Sequence, residues 1–317
     1  MKCFFCLIIV VIAHLFSLGA KLSVDYVVYH PYMLPGQDYV NLKNVQDEFD
    51  LNCHEDLYNY VRDFQGDSSD LHKIIFIDYY HGNEVFDLPK NKLICFKWEA
   101  LKIPSHFYDP YYRVYTHDDD LVDGKKFFKC YYAVLKPIIG KIPSFFEKKF
   151  CTMVVGQWMP DRESMLEFFE TKPLGRLEAY GRNPPKIGHA VYKGKIPGSF
   201  SSEQKLETIK NYRFCICFEN THTTKGYITE KIFDVFAAGC VPVYWGPENV
   251  TDYIPENCFI DYSKFADNEE MYSYLRSINE EQYEEYLANI RAFLVSDEAH
   301  LFSAEHFEEL ILEAIRD

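Results

Sequence analysis

The chain has 317 residues, enough for two domains of ordinary size, and 48% of them are hydrophobic and 17% aromatic. This composition excludes an intrinsically disordered chain. The formal net charge of −15 excludes the broad basic surface with which proteins hold nucleic acid, so an anionic ligand would need local positive groups.

The first segment, residues 1–20, is a strongly apolar run that follows Lys2. Small residues at Ser17 and Gly19 form a cleavage pattern, which predicts a secretory signal peptide. An uncleaved signal anchor is the main alternative, although the run is a little short of the roughly 20 residues of a spanning helix. A buried first strand of the fold is a weaker alternative for this segment. A leader predicts the secretory pathway, with the Golgi lumen or membrane in a eukaryotic host and secretion otherwise.

Cysteine usage bears on disulfides and on metal binding. Cys3 and Cys6 lie in the leader, which leaves eight of the ten cysteines. An even number in an oxidising compartment predicts some disulfides. No pair has the spacing of a zinc site, and Cys215 and Cys217 alternate with Ile216 in a predicted strand, as small buried residues do.

The N-terminal domain is predicted to cover residues 21–148. Its predicted strands are LSVDYVVYH, KIIFIDYY and KLICFKW, and the helix HEDLYNYVRDF lies between the first two. Strands that alternate with helices predict a parallel α/β sheet. Residues 101–148 are rich in Tyr, Pro and Lys and are predicted to be irregular.

The C-terminal domain is predicted to cover residues 149–317. In chain order it contains the strand KFCTMVV, the helix DRESMLEFFETK, a loop rich in Gly, Pro and Lys, the strand RFCICFE, the helix TEKIFDVFAA and the strand VPVYWG. At least two amphipathic helices follow, around 280–294 and 303–316. Two successive series of this kind predict two doubly wound domains, with the ligand site at the carboxyl ends of the strands.

The start of the helix after RFCICFE has an unusual charge pattern. Thr229 is a natural N-cap, Glu230 and Lys231 fall in the first turn, and Gly239 follows the last turn as a C-cap glycine. A lysine is unfavourable beside the positive end of the helix dipole, which indicates that an anion such as a diphosphate binds there. Glu230 would then accept hydrogen bonds from sugar hydroxyls. A solvated Glu-Lys pair is the alternative.

The stretch FCICFENTHTTKGYITEKIFDVFAAGCVPVYWG resembles the signature of the α-1,3/α-1,4-fucosyltransferases, glycosyltransferase family ten. The matching positions are Phe218, Glu219, Asn220, Tyr227, Thr229, Glu230, Lys231, Pro242 and Gly246. The similarity extends to ENCFIDYSKF downstream and, upstream, to VVGQWMPDRESMLEFF, which contains Arg162. The resemblance covers residues 149–295 well and the preceding part thinly.

This resemblance implies the GT-B fold, an α/β fold of two facing Rossmann-like doubly wound domains. The C-terminal domain would hold GDP-fucose and the N-terminal domain the acceptor. By the resemblance, Arg162 and Lys231 would contact the diphosphate, Glu230 would bind ribose or fucose hydroxyls, and Asn220 and Tyr227 would line the donor pocket. No cofactor would be required, because GDP-fucose is the donor substrate.

Glu99 is the predicted general base, because it ends the strand LICFKW and the family places such a glutamate in its N-terminal domain. A surface glutamate is the alternative reading, and Glu84 is a weaker candidate for the base. Asp118 and Asp120 form an Asp-x-Asp pattern, which marks the metal site of a different fold, GT-A. Adjacent acids more often form a solvated loop, and the family has no such motif here, so no metal is expected.

The expected function is inverting transfer of L-fucose from GDP-fucose to a glycan hydroxyl, on N-acetylglucosamine in an α-1,3 linkage. One alternative keeps the fold and uses another nucleotide sugar. Another is an inactive secreted glycan-binding protein. Expected partners are a glycan or glycoprotein acceptor and, through the leader, a membrane. Asn249 begins a glycosylation sequon, which matters if the chain enters a secretory lumen.

Overall fold

The computed structural model describes residues 28–29, 74–77, 90–98, 100, 102–196 and 202–316. The chain divides into two compact units. One unit is formed by the chain up to Ala133 together with the last segment from Ala304, and the other is Val134–Ser303. This division differs from the predicted boundary at 148/149, and each unit contains a five-stranded sheet.

The sheet of the first unit is parallel throughout, with the strand order β1-β2-β3-β4-β5. Its strands are β1 (Val28–Tyr29), β2 (Ile74–Ile77), β3 (Leu93–Phe96), β4 (Arg113–Thr116) and β5 (Phe127–Lys129). The strand predictions at β2 and β3 are confirmed. The prediction of an irregular segment over 101–148 is wrong at β4 and β5, because each strand is only three or four residues long and shows too little alternation to be recognised.

Aromatic packing builds the core of the first unit. The Phe96 ring stacks on Tyr115 with centroids 4.6 Å apart. Helix α7 (Ala304–Arg316) adds Phe307, whose ring meets Phe96 at 5.4 Å and Trp98 at 5.6 Å in edge-to-face contacts. These contacts place α7 in the first unit, whereas the sequence analysis assigns it to the C-terminal domain.

The sheet of the second unit is also parallel throughout, in the order β10-β9-β8-β6-β7. Its strands are β6 (Lys149–Val155), β7 (Leu177–Gly181), β8 (Tyr212–Phe218), β9 (Val241–Trp245) and β10 (Ile260–Asp261). The predictions of β6, β8 and β9 are confirmed, since each of these strands is a buried apolar run. Strand β7 lies at an edge inside the segment predicted as a loop, where that prediction is wrong.

The helices of the second unit are α1 (Pro160–Glu170), α2 (Ser202–Ile209), α3 (Glu230–Ala237), α4 (Asn268–Ser277), α5 (Glu280–Phe293) and α6 (Asp297–His300). The predictions of α1, α3 and α5 are confirmed. Helix α5 begins with a capping box, in which Asn279 and Gln282 bond to each other's backbone N–H. Helix α3 connects β8 to β9 and is buried along most of its length, so its start is fixed at the carboxyl end of β8.

The segment 134–148 packs against the end of α3, in the second unit. Gly239 has φ +59° and completes a Schellman motif, in which its N–H bonds to Phe236 O at 2.9 Å. A Cβ at this position would lie 2.8 Å from the Ile142 side chain. Ile139 also donates its N–H to Ala237 O at 2.8 Å. The segment 134–148 therefore packs on α3 and belongs with it.

The predicted secretory location carried two expectations, disulfide bonds and a leader that could anchor the chain in a membrane. The cysteines of the described residues are all free and buried, at positions 95, 130, 151, 215, 217, 240 and 258. The expectation of disulfides is therefore wrong for these seven, while Cys53 lies outside the described residues. No helix in the described part of the chain is long and apolar enough to cross a membrane. The leader, residues 1–20, lies outside that part.

Candidate functional site

A cavity of about 210 Å³ opens at the carboxyl ends of β6 and β8. Parallel strands end on the same edge of a sheet, so the residues that follow them meet there. The polar and charged side chains that line the cavity are Gln157, Arg162, Lys205, Asn220, Glu230 and Lys231. The structure thus brings together four of the five predicted donor-binding residues and adds Lys205.

Arg162 is 3% exposed and ties the strand ends together. Its Nη1 donates to Gln157 O at 2.9 Å, and its Nη2 donates to Phe218 O at 2.7 Å and Asn220 Oδ1 at 3.0 Å. Burial lowers the pKa of Arg162, but the nearby carboxylates of Asp161 and Glu219 oppose that effect. An arginine stays protonated under such conditions, so the guanidinium contributes a fixed positive charge to the cavity wall.

Glu219 is fully buried directly after β8 and holds the start of α3. Its carboxylate accepts hydrogen bonds from Thr229 N at 2.9 Å, Thr229 Oγ1 at 2.8 Å, Lys231 Nζ at 2.9 Å and Tyr244 OH at 3.1 Å. Glu219 belongs to the motif that resembles the family, but no role was predicted for it. A buried glutamate needs hydrogen-bond or ion-pair partners. The position of Glu219 directly after an apolar strand was therefore the sequence feature that could have indicated its role.

A glycine makes room for one of these donors. Gly246 follows β9, and a Cβ there would lie 2.4 Å from the Tyr244 hydroxyl. Because real Cβ atoms do not approach other atoms this closely, any larger residue would displace the Tyr244 ring. Gly246 therefore allows Tyr244 to reach Glu219.

Lys231 has its own partners within the protein. Its Nζ lies 2.9 Å from Glu219 Oε2 and 3.8 Å from Glu230 Oε1, and the side chain is 20% exposed. Burial would lower the pKa of Lys231, but Glu219 and Glu230 outweigh burial and raise it. The cost of a lysine at a helix start is therefore met by Glu219. A bound anion is therefore not required to offset this cost, and the contact of Lys231 with a diphosphate stays a prediction. With Lys231 only 20% exposed, the two residues are not the fully solvated pair of the alternative.

Glu230 presents an ionised carboxylate to the cavity. Its side chain is 40% exposed. Burial alone would raise the pKa of Glu230, but the positive charges of Lys231 and Lys205 outweigh it and lower the pKa to about 2. The carboxylate can therefore accept hydrogen bonds from hydroxyl groups at any physiological pH.

Lys205 is the lining residue that the sequence analysis missed. It lies on α2, and its Nζ donates to Asp234 Oδ2 at 2.8 Å. Asp234 lies on α3, is 2% exposed, and also accepts from Lys136 Nζ at 2.6 Å through Oδ1. Burial would lower the pKa of Lys205, but Asp234 and Glu230 raise it. Helix α2 was not predicted, so nothing in the sequence analysis pointed to this lysine.

Tyr227 is the predicted donor-binding residue that the structure does not place on the cavity wall. It is 3% exposed, and its N–H bonds to Thr224 O at 3.2 Å within the loop after β8. Asn249, the sequon residue, supports the same loop, because its Oδ1 accepts from Gly226 N at 3.0 Å. The sequon amide is therefore engaged in holding the loop that carries Tyr227.

The remaining predicted sites concern the base and the Asp-x-Asp pattern. Glu99 and Glu84 both lie outside the described residues. Asp118 Oδ1 accepts from Asp120 N at 3.1 Å, so in this segment the acids form a local turn. Over the ranges that the structure describes, no group of three or more His, Cys, Asp or Glu could hold a metal ion.

The architecture has counterparts among solved structures. The chain is similar to an α-1,3-fucosyltransferase in complex with GDP-fucose, with a TM-score of 0.55 and 13% identity over 94% of this chain and 93% of that one. It is also similar to the DNA-modifying enzyme β-glucosyltransferase, with a TM-score of 0.53 and 13% identity over 93% of this chain and 99% of that one. The chain has the α/β fold of the GT-B glycosyltransferases.

The family model described as glycosyltransferase family 10 (fucosyltransferase), C-terminal part, matches residues 147–308, about half of the chain. The chain belongs to this family. It is 30% identical over 145 residues to 4-galactosyl-N-acetylglucosaminide 3-alpha-L-fucosyltransferase 9 of Mus musculus, which is 45% of this chain and 36% of the mouse protein. It is 35% identical over 91 residues to alpha-(1,4)-fucosyltransferase of Arabidopsis thaliana, covering 28% and 22% of the two chains. The matched part thus spans little more than a third of the mouse relative.

Proposed function

We propose that the chain transfers L-fucose from GDP-fucose to a glycan hydroxyl, with inversion at the anomeric carbon. The proposed acceptor is N-acetylglucosamine in an α-1,3 linkage. The observation that carries the proposal is the convergence of Arg162, Lys231 and Glu230 on one cavity at the strand ends of a family 10 chain. A similar solved structure is an α-1,3-fucosyltransferase with GDP-fucose, and the mouse relative is by name a 3-alpha-L-fucosyltransferase.

The donor's diphosphate is the proposed ligand of the positive side chains. Negative charge grows on this group as the bond to fucose breaks, and fixed cations stabilise it without having to reorganise. Arg162 has its position fixed by four oxygen acceptors, and Lys231 by Glu219. Both charges would thus be in place before the donor binds, and a metal ion would not be required for this part of the reaction.

The sugar end of the donor is the proposed ligand of Glu230. Its carboxylate is ionised, partly exposed and on the cavity wall, so it can accept hydrogen bonds from ribose or fucose hydroxyls. Asn220 Oδ1 is used by Arg162, which leaves its Nδ2 as the donor for a ligand. Tyr227 would act through the loop it belongs to, since its side chain is buried.

Glu99 is the proposed general base. A sugar hydroxyl attacks poorly unless its proton leaves as the new bond forms, so a carboxylate must accept that proton. Attack from the face opposite to GDP converts the β-linked donor to an α-linked product.

A panel of nucleotide sugars tests this proposal. With N-acetylglucosamine-containing acceptors, we expect transfer and release of GDP from GDP-fucose, and none from GDP-mannose or UDP-glucose. The variant Lys231→Ala, once shown to be folded, should bind GDP more weakly than wild type by about 1.5–3 kcal/mol, which is the usual contribution of a hydrogen bond to a charged group. Transfer from UDP-glucose alone would favour the reading with another nucleotide sugar. Glycan binding with no release of nucleotide from any donor would favour an inactive glycan-binding protein.

The proposed location is the secretory pathway, with the Golgi lumen or membrane in a eukaryotic host. The apolar leader, residues 1–20, supports this location. Immunolocalisation of the full chain tests the location, and a diffuse cytosolic pattern would contradict it.

A further inference from the structure

The two lysines on the cavity wall differ in how far their charge is neutralised. Lys231 is matched by two carboxylates, Glu219 at 2.9 Å and Glu230 at 3.8 Å. Lys205 instead shares the single carboxylate of Asp234 with Lys136. Counted by ion pairs within 4 Å, Lys231 therefore has two carboxylates to itself, whereas Lys205 has half of one. At longer range, Arg162 also acts on the Lys231 group and Glu230 acts on Lys205.

Lys205 also has hydrogen-bonding capacity to spare. An ammonium group has three N–H donors. Within the described ranges, Lys205 Nζ donates to Asp234 and has no other hydrogen bond. Its side chain is 18% exposed and forms part of the cavity wall with Arg162 and Lys231. The ammonium group can therefore donate to a ligand in the cavity without giving up Asp234.

We propose that Lys205 is a third donor-binding cation, which contacts the diphosphate of the nucleotide sugar alongside Arg162 and Lys231. This inference rests on the proposed function, because it assumes that a nucleoside diphosphate occupies this cavity. Because Lys205 shares its one close carboxylate with Lys136, its ammonium is less neutralised by close ion pairs than that of Lys231, and it offers an incoming diphosphate a further attraction. Asp234 acts as a positioning residue that fixes the Lys205 ammonium at the wall.

Lys136 provides a matched control for this idea. It holds the same carboxylate at 2.6 Å and is part-exposed like Lys205, but it is not among the residues that line the cavity. If Lys205 only pairs α2 with α3, replacing either lysine should affect nucleotide binding equally. If Lys205 contacts the diphosphate, only its replacement should weaken binding.

The experiment is calorimetric titration of the full chain with GDP and with GMP. We expect Lys205→Met to weaken GDP binding roughly 10- to 100-fold, as for the loss of a charge-assisted hydrogen bond. GMP binding should fall less, since GMP lacks the second phosphate. Lys136→Met should change GDP affinity by no more than about threefold, the range of an exposed ion pair. Equal effects of the two substitutions on GDP affinity, or no effect of either, would overturn the assignment.

A second measurement uses the wild-type chain and does not depend on a folded variant. Lysine acetylation followed by mass spectrometry should show that GDP protects Lys205 and leaves Lys136 reactive. Unchanged labelling of Lys205 at saturating GDP would overturn the assignment and leave the proposed function standing. If wild-type protein binds UDP in place of GDP, the proposed donor is wrong, and the same comparisons are made with UDP. If it binds no nucleoside diphosphate, both proposals fail.

Discussion

Replacing Glu219 with glutamine tests how the site is held together. The substitution keeps the size of the side chain but removes its negative charge. Thr229 N, Thr229 Oγ1 and Tyr244 OH would still need an acceptor, and Lys231 Nζ would lose its nearest carboxylate at 2.9 Å. The introduced amide has one accepting oxygen, and its NH₂ group would face N–H and O–H donors.

The size of the effect follows from the burial of both partners. Removing one member of a buried ion pair costs about 3–5 kcal/mol, because the other charge is left unpaired. Here Lys231 is 20% exposed and keeps Glu230 at 3.8 Å, so part of that cost is recovered. We therefore expect Glu219→Gln to lower the free energy of unfolding of the second unit by about 2–3 kcal/mol. Glu230→Gln is the control and should cost less than Glu219→Gln, since Glu230 is 40% exposed and solvent screens its ion pair.

Urea unfolding followed by tryptophan fluorescence measures this loss, because Trp158 and Trp245, two of the three tryptophans, lie in the second unit. A double-mutant cycle of Glu219→Gln with Lys231→Met isolates the pair itself. We expect a coupling free energy above about 1 kcal/mol, as for contacting residues in one network. A loss below about 1 kcal/mol for Glu219→Gln, or additive effects in the cycle, would show that the Glu219–Lys231 pair does not hold the site together.

Three further outcomes follow from the site. Glu99→Gln should lower kcat by about 10²–10⁴-fold with little change in GDP affinity, as expected for a general base, and a near wild-type transfer rate would make Glu84 the next residue to test. EDTA and the double change Asp118→Asn with Asp120→Asn should leave most transfer activity, whereas a complete loss that manganese restores would establish a metal requirement. The folded-state pKa of Glu230 is lowered from 4.5 to about 2, so its ionised form stabilises the fold above about pH 4.5, and this contribution is lost as the pH falls toward 2. Glu230→Gln should therefore lose less stability than wild type between pH 4.5 and pH 2 in urea titrations, and parallel curves would contradict the assigned pKa.

The strand–helix–strand unit from β8 to β9 was predictable because every signal agreed. Two buried apolar runs flank a helix with a Thr229 N-cap and a Gly239 C-cap, and the structure confirms both caps. The family resemblance covers the same stretch, and it led to four residues that the cavity brings together. Here local propensity, burial and motif all indicate one structure.

Other elements gave too little local signal. Strands β4 and β5 have four and three residues, and β7 follows a segment rich in turn-forming residues. Their stability comes from pairing with neighbouring strands that are distant in sequence, which a local pattern does not report. Helix α2 follows the loop after β7, so Lys205 had no predicted helix face to be assigned to.

The charge partners of the site were the least predictable feature. Glu219 and Lys231 are twelve residues apart, and Lys136 and Asp234 are separated by 98, so both pairs depend on the folded sheet. The sequence showed an unfavourable lysine at a helix start and predicted an external anion. The structure shows that a buried glutamate meets that cost, and that a different lysine on the cavity wall, Lys205, shares one carboxylate with Lys136.

Fucose transfer is tested by incubating the full chain with GDP-fucose and an N-acetylglucosamine-containing glycan. Released GDP and the mass of the glycan are measured together, and NMR of the product gives the anomeric configuration and the linkage. We expect one GDP released for each fucose added, with an α-linked product from the β-linked donor. A β-linked product, or an unmodified glycan in the presence of GDP-fucose when another nucleotide sugar supports transfer, would contradict it.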